Sequence, residues 1–257
     1  MSDFWKTAIS CVRPNEILVR GYPIEELTTK CSFGDAVYLL LTGELPAANE
    51  GRMVEAILIA CCEHSLASPS VDAVRFVASS GVPLQTAVAA GVSSIGDVHG
   101  GAIEPCARVL KAAIEHSQNA RTLLEDIRRQ NRRVPGFGHA LHKQDPRTQI
   151  LFQLAEKWDL FGPHSRLVRD IESTTEQVFG RSLSANVDGA IAGIMCDMNI
   201  DPALGKAFFI IGRSAGYVAH AHEQSTAEAP FKAAPYDEIT YTGPERRSVP
   251  QPKNERK

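Results

Sequence analysis

The stretch Phe33-Gly34-Asp35-Ala36-Val37-Tyr38-Leu39-Leu40-Leu41-Thr42-Gly43-Glu44-Leu45-Pro46 sets the fold class. Phe33, Val37, Leu40 and Leu41 recur at helical spacing, and Gly43 with Pro46 stops the pattern. Residues 50–64 repeat it, with Met53, Ala56, Ile57, Ile59 and Ala60 as the apolar stripe. The same period predicts helices at about 70–80, 84–95, 101–117, 120–130, 147–159, 165–179, 188–198 and 204–222. Residues 17–28 read as a short extended stretch with a turn at Gly21, and no Asn-Gly or Asp-Gly hairpin joins two alternating stretches. Without a strand–helix–strand alternation, a dinucleotide-binding sheet is not expected. The chain reads as all-α.

Its 257 residues suffice for one large domain or a core with a small appendage. Hydrophobic residues at 44% and charged residues at 22% are globular values, which indicate neither a disordered chain nor a membrane protein. A net charge of −3 gives no reason to expect nucleic acid or an anionic membrane as partner, so an anionic ligand needs individually placed Arg and Lys residues. The N-terminus has no secretion signal, and no apolar run reaches the ~18 residues of a membrane span. Six cysteines, at 11, 31, 61, 62, 106 and 196, lack CxxC spacing. Buried free thiols in a reducing cytoplasm are expected, with no disulfide framework and no metal. From Pro230 the chain reads as an extended, proline-rich arm, and 245–257 as a flexible tail.

Two histidines stand in glycine-rich turns. His99 precedes Gly100-Gly101 and a helical stretch from near Ala102; His139 follows Pro135-Gly136-Phe137-Gly138 and precedes Asp145-Pro146-Arg147. Each either satisfies a turn or presents a ring nitrogen to a substrate oxygen. Asp188, in Ala185-Asn186-Val187-Asp188-Gly189, is a helix cap or, with the two histidines, part of an acid–base set for proton transfer beside a carbonyl. Arg147 and Arg213 are candidates for a substrate carboxylate. Arg213 lies in an otherwise apolar helix and needs either an acidic partner or an anionic ligand. His64, after Cys61-Cys62-Glu63, reads as a helix C-cap by itself. Ala219-His220-Ala221-His222 is a poor metal pair, because i and i+2 point to different helix faces. No GxGxxG, Walker A, GxSxG or HExxH pattern is present.

In order along the chain, Arg20-Gly21-Tyr22-Pro23-Ile24-Glu25-Glu26-Leu27, Tyr38–Pro46, His99-Gly100-Gly101, Gly136-Phe137-Gly138-His139 with Asp145-Pro146-Arg147, Asn186-Val187-Asp188 and Gly212-Arg213-Ser214-Ala215-Gly216 resemble the motifs of the citrate synthase superfamily. In its brevity the chain looks most like the citryl-CoA lyases, stand-alone or as the C-terminal module of ATP citrate lyase. The resemblance implies a shortened citrate synthase-like fold, with a large domain of about 1–135 and 225–257 and a small one of about 136–224. It implies an acyl-CoA-dependent Claisen or retro-Claisen enzyme that cleaves a citryl-CoA-like thioester to acetyl-CoA and a 2-oxo acid such as oxaloacetate. The alternatives are a citrate or 2-methylcitrate synthase-type acyltransferase and a non-catalytic acyl-CoA-binding homologue.

His99 would polarise the thioester oxygen, Asp188 exchange the α-proton, and His139 serve the hydroxyl or ketone oxygen. His64, Arg147 and Arg213 would hold carboxylates, and Pro135, Gly136, Phe137, Gly138 and Lys143 would bind coenzyme A. The coenzyme A thioester is substrate rather than resident cofactor, no metal is implied, and the partner is a second copy in a homodimer or larger homo-oligomer. Two departures stand out: Ala233, beside Lys232, occupies the family's arm-arginine position, and one residue fewer separates His139 from Arg147 than in many synthases.

Overall fold

The computed structural model describes residues 4–139 and 141–249. The chain opens with a three-stranded antiparallel sheet of β1 (Ser10–Arg13), β2 (Glu16–Val19) and β3 (Tyr22–Pro23), in the order β1-β2-β3. Ser10 pairs with Val19, and Leu18 with Pro23. The expected extended stretch at 17–28 is thus the second half of a small meander, and its end is helix α1 (Ile24–Lys30). The first hairpin turns at Pro14-Asn15, with Asn15 at φ 60, a conformation asparagine tolerates without glycine.

Ten further helices follow among the described residues: α2 (Phe33–Thr42), α3 (Glu50–Cys61), α4 (Pro69–Ala78), α5 (Leu84–Ser93), α6 (Ile103–Glu115), α7 (Ala120–Arg129), α8 (Pro146–Lys157), α9 (Pro163–Phe179), α10 (Val187–Asp197) and α11 (Gly205–Ala227). Their limits follow local chemistry. Ser32 and Asp35 form a capping box at the start of α2, and Gly43 ends it in the left-handed conformation at φ 97. Asp145 caps α8, whose first residue is Pro146.

One apolar cluster runs from Val37 on α2 through α3 and α6–α10 to Phe208 and Phe209 on α11. Helix α10 lies at its centre, with Ala190, Ile191, Ala192, Ile194 and Met195 fully buried. A smaller cluster joins Val71, Val74 and Ala78 of α4, Ala87 of α5, and Tyr217 and Ala221 of α11. The larger cluster crosses residue 135, the boundary suggested by the resemblance. No helix among the described residues is long and apolar enough to cross a membrane. Cys61, Cys106 and Cys196 are buried free thiols, while Cys11 is exposed. The arm turns back at its start: the Phe231 and Lys232 N–H groups donate to the carbonyl and hydroxyl of Ser79, at 2.8 and 3.0 Å. Of the expected tail, 245–249 are exposed without regular structure and 250–257 lie outside the described residues.

Candidate active site

The turn carrying His139 is fastened to the start of α10 by backbone and by one side chain. Gly138 N–H donates to the Ser184 carbonyl at 2.8 Å, and Asn186 N–H to that of Gly136 at 3.0 Å. The Asn186 amide also donates to the Gly138 carbonyl at 2.9 Å. Gly136, at φ +80, and Gly189 meet backbone to backbone: a Cβ on Gly136 would stand 2.7 Å from Gly189 Cα, and one on Gly189 would stand 2.4 Å from the Gly136 oxygen. Glycine is required on both sides. Asn186 also caps α10, its side-chain oxygen accepting from Asp188 N–H and Gly189 N–H at 3.0 and 3.3 Å. The capping role open to Asp188 therefore belongs to Asn186.

His64, His99, His139, Arg147, Asp188 and Arg213 all line one cavity of about 810 Å³. They arrive from the end of α3, the turn before α6, the glycine turn, α8, α10 and α11. Burial pushes the Asp188 carboxyl up to about 6; Arg147 and Arg213 oppose the rise and Asp145 adds to it. This places its protonation change where small differences in pH matter. His99 is held below the usual imidazole range by burial and then by Arg213. Its Nε2 lies 2.7 Å from the buried Ser70 hydroxyl, and Phe209 packs edge-on to its ring. Gly100, at φ +70, lets Phe209 approach, since a Cβ there would fall 2.7 Å from that ring.

The two arginines differ. Arg213 is 2% exposed; its Nε donates to the Cys61 carbonyl at 2.7 Å, its guanidinium lies over Phe209, and its buried Nη1 has no hydrogen-bond partner. No carboxylate among the described residues makes an ion pair with it; Asp188, in the same cavity, feels its charge at longer range. Arg147 already grips Asp145 with two bonds, Nε to Oδ1 at 3.0 Å and Nη2 to Oδ2 at 2.7 Å. Burial would raise the Asp145 pKa, but the Arg147 hydrogen bonds and charge outweigh it and hold the carboxyl low. Only the rest of the Arg147 fork is left for a ligand.

His64, His139 and His142 gather so that one nitrogen of each lies within 4.8 Å of the others. As a metal trap the cluster is spoiled at His139, whose Nδ1 accepts two backbone N–H groups, from Leu141 and His142, at 3.1 Å. Its Nε2 therefore carries the proton in the neutral ring and offers no lone pair. Of the Ala219–His222 pair, His220 Nε2 lies 3.1 Å from Glu63.

Two more cavities extend the first. One of about 920 Å³ shares Gly138, His139, Leu141 and His142 with it and adds Lys143 and Leu183. The next, about 530 Å³, shares Leu183 and is lined by Phe137 and by Arg128, Arg132, Arg133 and Arg181. Among the residues expected at coenzyme A, Phe137, Gly138 and Lys143 line this path. Pro135 and Gly136 line none of the three cavities. The arginine group, Ser68 and Ser70 were not anticipated. Arg132-Arg133 beside the glycine turn was the available signal for the first; nothing near Ser68 or Ser70 marked them. Ser68 lines the first cavity with a buried hydroxyl that has no hydrogen-bond partner among the described residues. Lys232, adjacent to Ala233, places its amine 3.6 Å from Glu228.

The description of the citrate synthase C-terminal domain matches residues 3–56 and 48–233. A solved citryl-CoA lyase from Hydrogenobacter thermophilus superposes with a TM-score of 0.92 at 39% identity, covering 96% of this chain and 98% of that one. A Methanosaeta concilii ATP citrate lyase (D541A mutant) in complex with (3S)-citryl-CoA shares the fold, with a TM-score of 0.86 at 21% identity over 95% of this chain and 42% of that one. The probable ATP-citrate synthase of Caenorhabditis elegans is 25% identical over 264 residues, 95% of this chain. The chain spans 24% of that relative's length and 42% of an Arabidopsis thaliana ATP-citrate synthase beta chain.

Proposed function

The chain belongs to the citrate synthase family, and on that premise we propose that it cleaves a citryl-CoA-like thioester to acetyl-CoA and a 2-oxo acid, oxaloacetate. One observation carries this reading: Asp188, with a carboxyl raised to about 6, shares a cavity with His99 and with a buried arginine that forms no ion pair among the described residues. A C–C bond beside a thioester breaks when the electron pair can pass into an enolate and the enolate carbon can be reprotonated. His99 stabilises the enolate oxygen through Nδ1, since Ser70 holds Nε2. Asp188 delivers the proton to carbon. Such groups contribute roughly 10²–10⁴ each to a rate. Arg213, and the free side of Arg147, bind carboxylates of the acid being released.

The chain of cavities suits coenzyme A. Its phosphates would meet Arg128, Arg132, Arg133 and Arg181, and its pantetheine arm would pass Leu183 and Lys143 toward His99, with residues 136–224 as the part that closes over it. A second copy is the proposed partner. Support comes from large apolar side chains exposed on α3, α4 and α11, namely Ile59, Phe76 and Val218, and from Phe231, Tyr236 and Tyr241 on the arm. The proposed location is the cytoplasm.

Purified protein given citryl-CoA should release acetyl-CoA and oxaloacetate in equal amounts. Formation of free coenzyme A from acetyl-CoA plus oxaloacetate would replace the lyase with a synthase, and binding without turnover would replace the enzyme with a sensor.

A further inference from the structure

A hydroxyl entering the space between His64 and His139 would find one donor and one acceptor. His139 Nδ1 accepts from Leu141 and His142 backbone N–H groups, so the neutral ring bears its proton on Nε2. That nitrogen stands 3.1 Å from Nε2 of His64. His139 must therefore donate and His64 accept, which puts the His64 proton on Nδ1. We propose that the tertiary hydroxyl of the substrate takes the place of this direct contact, accepting from His139 Nε2–H and donating to His64 Nε2, and that His64 is the base that removes its proton. The assignment rests on the cleavage reading above and changes one role within it. Family resemblance gives His64 to a carboxylate; the hydrogen-bond directions give it the reacting oxygen.

The step balances. The O–H proton passes to His64 Nε2, the oxygen becomes a ketone as the C–C bond breaks, and the bonding pair enters the thioester as an enolate. Asp188, as the carboxylic acid, then protonates the enolate carbon and is left a carboxylate. His64 ends as an imidazolium, and exchange with solvent restores both groups. His139 keeps its Nε2 proton throughout and stabilises the oxygen as charge develops.

The surroundings of His64 suit a neutral ring with a free lone pair. Burial first, then Arg147 from α8, His139, Arg213 from α11 and His142 hold its pKa below the ordinary value. Glu63, the neighbouring carboxylate, accepts the His64 backbone N–H at 2.8 Å.

The test compares wild type with His64→Gln and His64→Ala, using citryl-CoA for cleavage and acetyl-CoA for α-proton exchange. Glutamine keeps polarity and size without a basic nitrogen. The expected result is a cleavage kcat lower by about 10²–10⁴ with KM held within about threefold, and α-proton exchange reduced far less. The acid limb of the kcat–pH profile should vanish, and added imidazole should restore turnover in His64→Ala. A raised KM with kcat retained would return His64 to carboxylate binding and overturn the assignment, as would an unchanged acid limb in a variant with a wild-type Tm. If wild type itself fails to cleave citryl-CoA, the functional reading falls and this assignment with it.

Discussion

Arg75 on α4 and Arg213 on α11 are 5% and 2% exposed, and their helices pack against each other. Around Arg75 the fold supplies anions: Glu223 bonds to Nη1, and Glu228 lies 3.5 Å from Nη2. Around Arg213 it supplies a carbonyl and an aromatic face, and leaves Nη1 unpartnered. Arg75 also has an unpartnered nitrogen, Nε, but its charge is matched. Removing an unmatched cation from water costs several kcal/mol. A fold that tolerates this at Arg213, on a cavity wall, has left room for an anion to arrive from outside.

The largest effect is expected at Asp188, whose ionisation Arg213 favours. Asp188→Asn should lower cleavage by about 10²–10⁴ while citrate and coenzyme A still raise Tm. The same variant reports the cost of the buried carboxylate. The folded-state pKa of about 6 lies above the unfolded value, so the native state binds this proton more tightly. Its contribution is most favourable below the unfolded pKa and is lost as pH rises through about 6. Asn removes that loss, so urea melts should show the variant more stable by about 1–3 kcal/mol at pH 8 and little changed at pH 4.

Next in size is the contrast between the arginines. Arg213→Met should raise KM by about 10²-fold and, below a pH of about 6 where Asp188 is protonated, leave stability equal or higher, because it removes a buried charge without an ion-pair partner. Arg75→Met should do the reverse, costing about 1–3 kcal/mol in denaturant melts at unchanged KM; the half-exposed glutamates regain water, which limits the loss. Equal stability losses in the two variants would erase the distinction. The smallest effect is a titration. Exchange of the acetyl-CoA α-proton needs the Asp188 carboxylate and should rise with pH through about 6. In Arg213→Met the midpoint should move to higher pH.

Much of the candidate site was legible because its residues break local rules in the sequence. Histidines in glycine turns at 99 and 139 are open to a ligand, an arginine in an apolar helix at 213 is costly without a counter-charge, and all three line the cavity. The helices were legible because their apolar period and stop signals agree. What stayed hidden depended on partners distant in sequence or on turns with weak signals. Asn15 closes a hairpin at φ 60 without the glycine that marks the strongest turns. Ser70 contacts His99 across 29 residues, and nothing near it in sequence announces that. Arg147 looked free for a ligand, yet Asp145, two residues earlier, occupies half its fork. Of the tail, 250–257 lie outside the described residues.

The meeting of Gly136 with Gly189 bears on how the site can vary. Most contacts between elements are made by side chains, so a substitution on one side can be answered by a smaller neighbour or a new rotamer on the other. Here both sides are bare main chain, and neither has anything to trim. The spacing between the turn that carries His139 and the helix that carries Asp188 is thus locked to the peptide itself. Residues on the cavity walls can vary, but the distance between the His139 turn and the start of α10 has no adjustable part.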